Sequence, residues 1–435
     1  MARVHPLLSR LATTIVVSLV IVACAAATTQ APIATPSPSG PPASASAPAT
    51  SSPAASPDPA CSPPETYVAA AGDTLSGIAQ RHGLTVDELL VANPEITDRT
   101  VIHVGDRITI SPIDLGTLGG QSTSANAMND RGQVVGRSET ASGESHAFVW
   151  QDGVIFDLGT GAWSEASDIN ERGQVAGTRN LATASTVAFL WRDGTLTDLP
   201  GVPFCDAGGC TSQSGASAIN DRGQVVGGSP TSLDDESGPD LWHNGAWTDL
   251  GTPDGEQSEA TAINDRGQVV GWSSTAFLST SHGRPHAVLW QEGWMADLGA
   301  FNDDWSEATG INNRAQVIGW SRTVVAADVD DGQPHAVLWQ DGAMTDLGTL
   351  GGGTSQAYAI NDRGQVIGIS YTASGDERIF LWQGGAMTDL APRVVDAFPI
   401  AINNCGDIVA QRDTPAGEWH AYLWRGIVVT SGPGE

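Results

Sequence analysis

The stretch AINDRGQVVGW occupies residues 262–272, and it returns as AINDRGQVVGG at 218–228 and AINDRGQVIGI at 359–369. Its asparagine recurs at Asn129, Asn170, Asn220, Asn264, Asn312, Asn361 and Asn403. An Asp-Leu pair recurs at Asp114, Asp157, Asp198, Asp249, Asp297, Asp346 and Asp389, and a tryptophan at Trp150, Trp191, Trp242, Trp290, Trp339, Trp382 and Trp424. Seven copies in one order, spaced by about 41 to 51 residues, signal a solenoid or a propeller.

One copy reads as four short strands. SEATAIN (258–264) is a run of small residues, DRG is a tight loop, and QVVGW is a strand. HAVLW (286–290) is a third strand, and EGWMADLG gives a turn and a fourth. Asn-Asp-Arg-Gly suits a type I turn followed by a left-handed residue. Gly267 takes the positive φ without steric cost, and Asn264 and Asp265 are expected to bond back to the turn backbone. Gly132, Gly173, Gly223, Gly364 and Gly406 fill the same place; Ala315 does not, so the fifth unit should carry strain there or turn differently. No helix is signalled between 114 and 435.

Four strands per repeat match propeller blades, and seven units lie within the usual number. Small residues suit the innermost strands, where blades crowd the axis. Consecutive apolar residues suit strands covered on both faces, and the tryptophan suits the wider gap further out. PIDLGT before the first unit and GIVVTS after the last are expected to complete one blade between them. The expected fold is mainly β: a seven-bladed propeller over 113–435, preceded by a small βααβ domain over 65–112. An open β-solenoid is the rival.

The N-terminus reads as a targeting segment. Arg3, His5 and Arg10 precede the apolar run LATTIVVSLVIVA, as in a secretory signal over 1–23. The run ends in IVAC, which resembles a bacterial lipobox. That resemblance implies that Cys24 becomes the lipidated first residue; an ordinary secretory signal is the alternative. Residues 24–64 are nearly all Ala, Pro, Ser and Thr, too polar to bury a core and semi-extended through proline. The expectation is an exported chain that meets a membrane only through a lipid anchor and faces the cell wall or extracellular space.

The formal charge is -29, and all 20 basic residues are arginine. Such a chain offers no basic footprint for nucleic acid. Without lysine it has neither Schiff-base chemistry nor a P-loop.

Residues 66–110 carry strand, helix, helix, strand signals. Asp73 is a candidate N-cap, Gly83 a C-cap, and Thr85 with Glu88 a capping box, while Asn93-Pro94 ends the second helix. The stretch resembles a LysM domain at Tyr67, Val68, Gly72-Asp73-Thr74-Leu75, Ile78-Ala79, Leu89, Asn93-Pro94, Ile96, Gly105 and Ile108. The resemblance implies binding of N-acetylglucosamine-containing glycan, peptidoglycan or chitin-like. It places the groove between Gly72, Asp73, Thr74 and Leu75 on one loop and Asn93, Pro94 and Ile96 on the other, with Leu75 and Ile96 covering the acetamido methyl. In the alternative, Asp73 and Asn93 only cap and stop helices. The longer repeat resembles the extracellular HAF-type repeat, seen at His146-Ala147-Phe148, which implies a secreted bacterial protein and no established activity.

No catalytic or calcium-loop motif is present, and no metal or cofactor is expected. His146, His286, His335 and His420 occupy one place in different blades and read as structural. The acids of the Asn-Asp turns read as turn chemistry. The loops leading into the inner strands hold Trp163, Glu165, Trp305, Glu307 and Glu259, with Asp254 and Glu256. On one face of a propeller these can hold a sugar or a cation; in the alternative they pack between blades or simply solubilise the rim. Cys205 and Cys210 are expected to form a local disulfide; Cys61 and Cys405 are left over, to pair and pin the LysM stem to the last blade. The sequence therefore reads as an envelope-anchored, non-catalytic carbohydrate-binding protein, with the propeller displaying a site for an unidentified protein or glycan. The rival is a propeller enzyme acting on polysaccharide and targeted by the LysM module. Convergent carboxylates or a metal in the central funnel are the features that favour the rival.

Overall fold

The computed structural model describes Cys61 and residues 65–426, apart from 160, 182–184, 202–203, 207–208, 212, 229–237, 253–256, 275–283, 324–331, 391–393, 395–396 and 415. The signal, Cys24, nearly all of the linker, Asp254, Glu256 and the segment from 427 lie outside the described residues.

The first module is β1 (Thr66–Val68), α1 (Leu75–Arg81), α2 (Val86–Ala92) and β2 (Arg107–Thr109), with β1 antiparallel to β2. Its core is Leu75, Ile78, Ala79, Leu84, Leu89, Ile108 and Ile110. Thr74, not Asp73, is the N-cap of α1, accepting from the Gly77 N–H at 3.1 Å. The Asp73 carboxylate is drawn off by the Ala70 N–H, the Tyr67 hydroxyl and Arg81. The capping box of α2 forms as the sequence indicates: Thr85 accepts from the Glu88 N–H, and Glu88 accepts from the Thr85 N–H at 2.6 Å.

From Ile113 onward the chain forms seven four-stranded antiparallel sheets, the blades of a β-propeller. The fourth is typical, with strands Ser258–Ile263, Val269–Ser273, His286–Gln291 and Trp294–Asp297 running outward from the axis. The seventh takes Phe398–Ile402, Ile408–Asp413 and Trp419–Trp424 from the end of the chain and its outermost strand, β3 (Ile113–Asp114), from the beginning. The N-terminal half of the expected closure is therefore present; of GIVVTS only Gly426 is described. A short 3-10 turn at Phe301–Asp303 is the sole helical segment of the propeller among the described residues.

The blades are held together by the repeated turn. Asn264 accepts the N–H groups of Arg266 and Gln268 on Oδ1, and its Nδ2 donates to Gln268 Oε1 and to the Asn312 carbonyl of the next blade. The same inter-blade bond runs from Asn129 through Asn170, Asn220, Asn264, Asn312 and Asn361 to Asn403, which closes the ring on the Asn129 carbonyl, at 2.9–3.4 Å. Ala315 makes the same turn as its glycine counterparts, in a left-handed conformation at φ 61°. The tryptophans fill the gaps between blades: Trp290 packs on Ala218 and Val226 of the third blade, and Trp339 on Val270 and Ala287 of the fourth.

The glycine of QVVG answers a requirement different from that of the turn glycine. A Cβ built on Gly271 would lie 1.8 Å from the Glu259 carbonyl, so the first two strands approach too closely for any side chain. Cys61 and Cys405 form a disulfide with a Cα–Cα distance of 5.5 Å. Cys205 lies opposite Cys210 in a two-stranded hairpin, Phe204–Asp206 with Gly209–Thr211; their side chains lie outside the described residues.

Candidate functional site

The helices of the first module are joined by a short turn at 82–85, so the start of α1 and the end of α2 lie at the same, open end of the pair. Gly72 and Thr74 are exposed on one loop there, Pro94 and Glu95 are exposed on the other, and Ile96 is half-buried. Gly72 holds φ +91°, with open space where a side chain would stand. Asp73 stiffens the first loop from within. The Ala70 N–H, the Arg81 guanidinium and the Tyr67 hydroxyl bond its carboxylate and hold its pKa down at about 2.

Two of the expected groove residues face elsewhere. Leu75 is 3% exposed and belongs to the core, because the first apolar residue after the N-cap points back onto the helix pair. Asn93 is fully buried. Its Nδ2 donates to the Leu89 and Thr109 carbonyls at 2.6 and 2.9 Å, and its Oδ1 accepts the Thr109 N–H at 2.7 Å. That side chain ties α2 to β2 and has no polar atom left for a ligand. Of the expected groove residues, Gly72, Thr74 and Pro94 are exposed and Ile96 is half-buried.

On the propeller, Trp163 and Trp305 hold equivalent places just before the inner strands of the second and fifth blades, so the ring separates them. Trp305 packs against Trp320 at 5.8 Å between ring centres, with the Arg322 guanidinium 4.8 Å from its own. Glu165 accepts from Asn126 Nδ2 at 2.8 Å and lies 3.9 Å from Arg137. Glu259 and Glu307 do lie together: burial and the charge of Glu259 raise the Glu307 pKa to about 7. The five residues therefore divide into Glu259, Glu307 and Trp305 on adjacent blades, and Trp163 with Glu165 on the second.

The turn acids are not explained by their own turns. Each accepts the backbone N–H of the equivalent residue in the preceding blade: Asp130 N–H to Glu171, Glu171 to Asp221, Asp221 to Asp265, Asp265 to Asn313, Asn313 to Asp362, Asp362 to Asn404 and Asn404 to Asp130, at 2.7–2.9 Å. This second closed ring surrounds a cavity of about 190 Å3 on the axis. Burial, with Asp130 and Asp221 alongside, raises the Glu171 pKa to about 7. The histidines pair with the Asp-Leu aspartates. His146 Nδ1 lies 2.9 Å from Asp157, His286 Nδ1 3.0 Å from Asp297, His335 Nδ1 2.8 Å from Asp346, and His420 Nδ1 3.0 Å from Asp114 on the closing strand. Among the described residues no group of three or more His, Cys, Asp or Glu side chains is arranged to hold a metal ion.

With this geometry in place, comparison with known proteins separates the two modules. Residues 67–111 match the LysM domain family. No curated protein matches the chain by sequence. Among solved structures, the chain resembles the β-propeller domain of the Trilobed protease from Pyrococcus furiosus at a TM-score of 0.50 and 11% identity, over 72% of this chain and 99% of that one. It also resembles an acylaminoacyl peptidase from Pyrococcus horikoshii (TM-score 0.48, 13% identity, 72% of this chain), of which it spans about half, 52%. A third likeness is to the BP39L lectin from Burkholderia pseudomallei (TM-score 0.38, 9% identity, 72% of this chain and 99% of that one). At such identities the first likeness shows the propeller fold alone.

Proposed function

We propose that this chain is a non-catalytic glycan-binding protein of the cell envelope. Its LysM module holds N-acetylglucosamine-containing polymer between the 72–75 and 93–96 loops, and its propeller is a rigid platform for a second ligand. The LysM match over residues 67–111 carries this reading, supported by two loops that share the open end of the helix pair. Export and lipidation at Cys24 belong to the same proposal, supported by the apolar run that ends at that cysteine. Calorimetric titration of the chain with an N-acetylglucosamine hexamer tests it. Saturable binding that Ile96→Asp weakens at least tenfold is expected; no heat of binding to the hexamer or to peptidoglycan fragments overturns it.

One observation favours the rival reading. Five carboxylates, those of Asp130, Glu171, Asp221, Asp265 and Asp362, converge on the axial cavity, and an enzyme acting on polysaccharide would need convergent acids. Against it, each already accepts a backbone N–H from the neighbouring blade, which is a structural duty. Release of reducing ends from chitin or peptidoglycan by the wild type, and its loss in Glu171→Gln, would establish the enzyme instead.

A further inference from the structure

The LysM module meets the propeller at the closed end of its helix pair. Glu88, in the first turn of α2, places one carboxylate oxygen on the Thr85 cap and the other on Arg412 of the seventh blade. Only 14% of the Glu88 side chain and 12% of the Arg412 side chain remain exposed. The Arg412 guanidinium also lies over the Tyr422 ring at 4.2 Å and near that of Trp424 at 6.0 Å, so blade aromatics fix it from behind. Burial opposes the Glu88 charge, but the Thr85 N–H and Arg412 outweigh it and hold its pKa below the usual range. The helix turn itself lies against the closing strand: a Cβ on Gly83 would stand 3.9 Å from Asp114 Oδ2.

Two further attachments complete the joint. Cys61, ahead of β1, is bonded to Cys405 in the first turn of the seventh blade. On the other side, β2 runs through Ser111 and Pro112 directly into β3, which closes that blade. Cys405 precedes the strand that carries Arg412, so disulfide and ion pair are separated by roughly 20 Å of chain at about 3.3 Å per residue. A single peptide link leaves a domain free to swing, whereas three attachments at separate points do not. The glycan loops lie at the other end of α1 and α2, about 10 Å away for helices of this length.

We infer that the LysM module is clamped to the seventh blade by Glu88–Arg412 and Cys61–Cys405 with its groove directed away from the propeller, so that a bound glycan strand fixes the orientation of the whole disc. The statement about glycan rests on the function proposed above; the clamp does not. Arg412 is a positioning residue, acting on the module through Glu88 and touching no ligand.

The test is 15N relaxation of the full chain. LysM amides such as those of Gly72 and Thr97 are expected to report the same rotational correlation time as blade amides. In the triple variant Cys61→Ser, Cys405→Ser, Arg412→Ala their correlation time is expected to fall several-fold while the blade values hold. Fast LysM tumbling in the wild type, or an unchanged triple variant, overturns the clamp. Restoring the two cysteines in the Arg412→Ala background is expected to slow the module again. Affinity for the N-acetylglucosamine hexamer should match in wild type and triple variant; a tenfold loss on unclamping would overturn the outward placement of the groove. If the hexamer binds neither form, the glycan reading fails and the relaxation result still decides the clamp.

Discussion

Asn93 and Asn264 show how differently the two modules are built. Both are buried asparagines with their amide groups saturated, and each stops a repeated or local element by bonding backbone instead of facing solvent. Asn93 works alone, as the only tie of its kind between α2 and β2 among the described hydrogen bonds. Asn264 is one of seven, and its bond to the next blade is repeated around the ring. The small module depends on single contacts; the propeller distributes the same chemistry. Their acids differ in the same sense. Asp73 is collected by donors that hold its pKa down at about 2, whereas burial lifts Glu171, Glu307 and Asp168, which lies in the inner strand of the second blade (Ser164–Ile169), to about 7.

The sharpest test removes each asparagine in turn. Asn93→Ala strands the Leu89 and Thr109 carbonyls and the Thr109 N–H, a loss of roughly 3–5 kcal/mol that a module this small cannot absorb. Loss of LysM amide protection with an intact propeller melt is the expected result in hydrogen exchange. Asn264→Ala should cost the propeller about 3 kcal/mol, visible as a lowered denaturant midpoint without unfolding at rest. Equal damage from both changes would break the contrast.

The acids sharpen it through pH. Asp168, Glu171 and Glu307 stay protonated in the fold up to about 7 but ionise near 4 when unfolded, so the unfolded chain binds fewer protons between those values. Propeller stability should therefore fall steadily as pH rises from about 4 to 7. His420, raised by its bond to Asp114, acts in the same direction: its contribution is lost as pH climbs through its folded value. Asp73 acts oppositely, stabilising above its ordinary range and losing that contribution only as pH drops toward 2. Thermal melts followed by blade and LysM amides should separate the two trends, and a propeller that gains stability from pH 5 to 7.5 would contradict the assignment. The smallest effect is expected at Ala315→Gly. Relief of the left-handed alanine, partly offset by the added freedom of glycine when unfolded, should stabilise the fifth blade by roughly 0.5–1 kcal/mol.

The blades were legible because a periodic turn and a periodic tryptophan each report a local requirement. Thr85 with Glu88 was legible for the same reason. Other assignments failed where two residues competed for one role. Asp73 and Thr74 both suit an N-cap, and only the position of Ala70, Tyr67 and Arg81 decided between them. Leu75 suits a sugar face and a core equally by composition, and only the fold turns it inward. The joint between modules left a fainter trace. Arg412 stands where other blades have Ser138, Ser273, Ser321 and Ser370, and Cys405 stands where most turns have arginine. Those departures marked the place, and the leftover cysteines paired Cys405 with Cys61, but nothing in the sequence directed Arg412 to Glu88.

Sequence alone determined the hairpins, their number and their order, because turn residues and apolar spacing act over a few neighbours along the chain. Only the tertiary structure decided that the turn acids bond the preceding blade, that Asn93 faces inward, and that Glu88 meets Arg412 across 324 residues. Each of those outcomes depends on which groups the closed ring brings within hydrogen-bonding reach, a distance that sequence spacing does not encode.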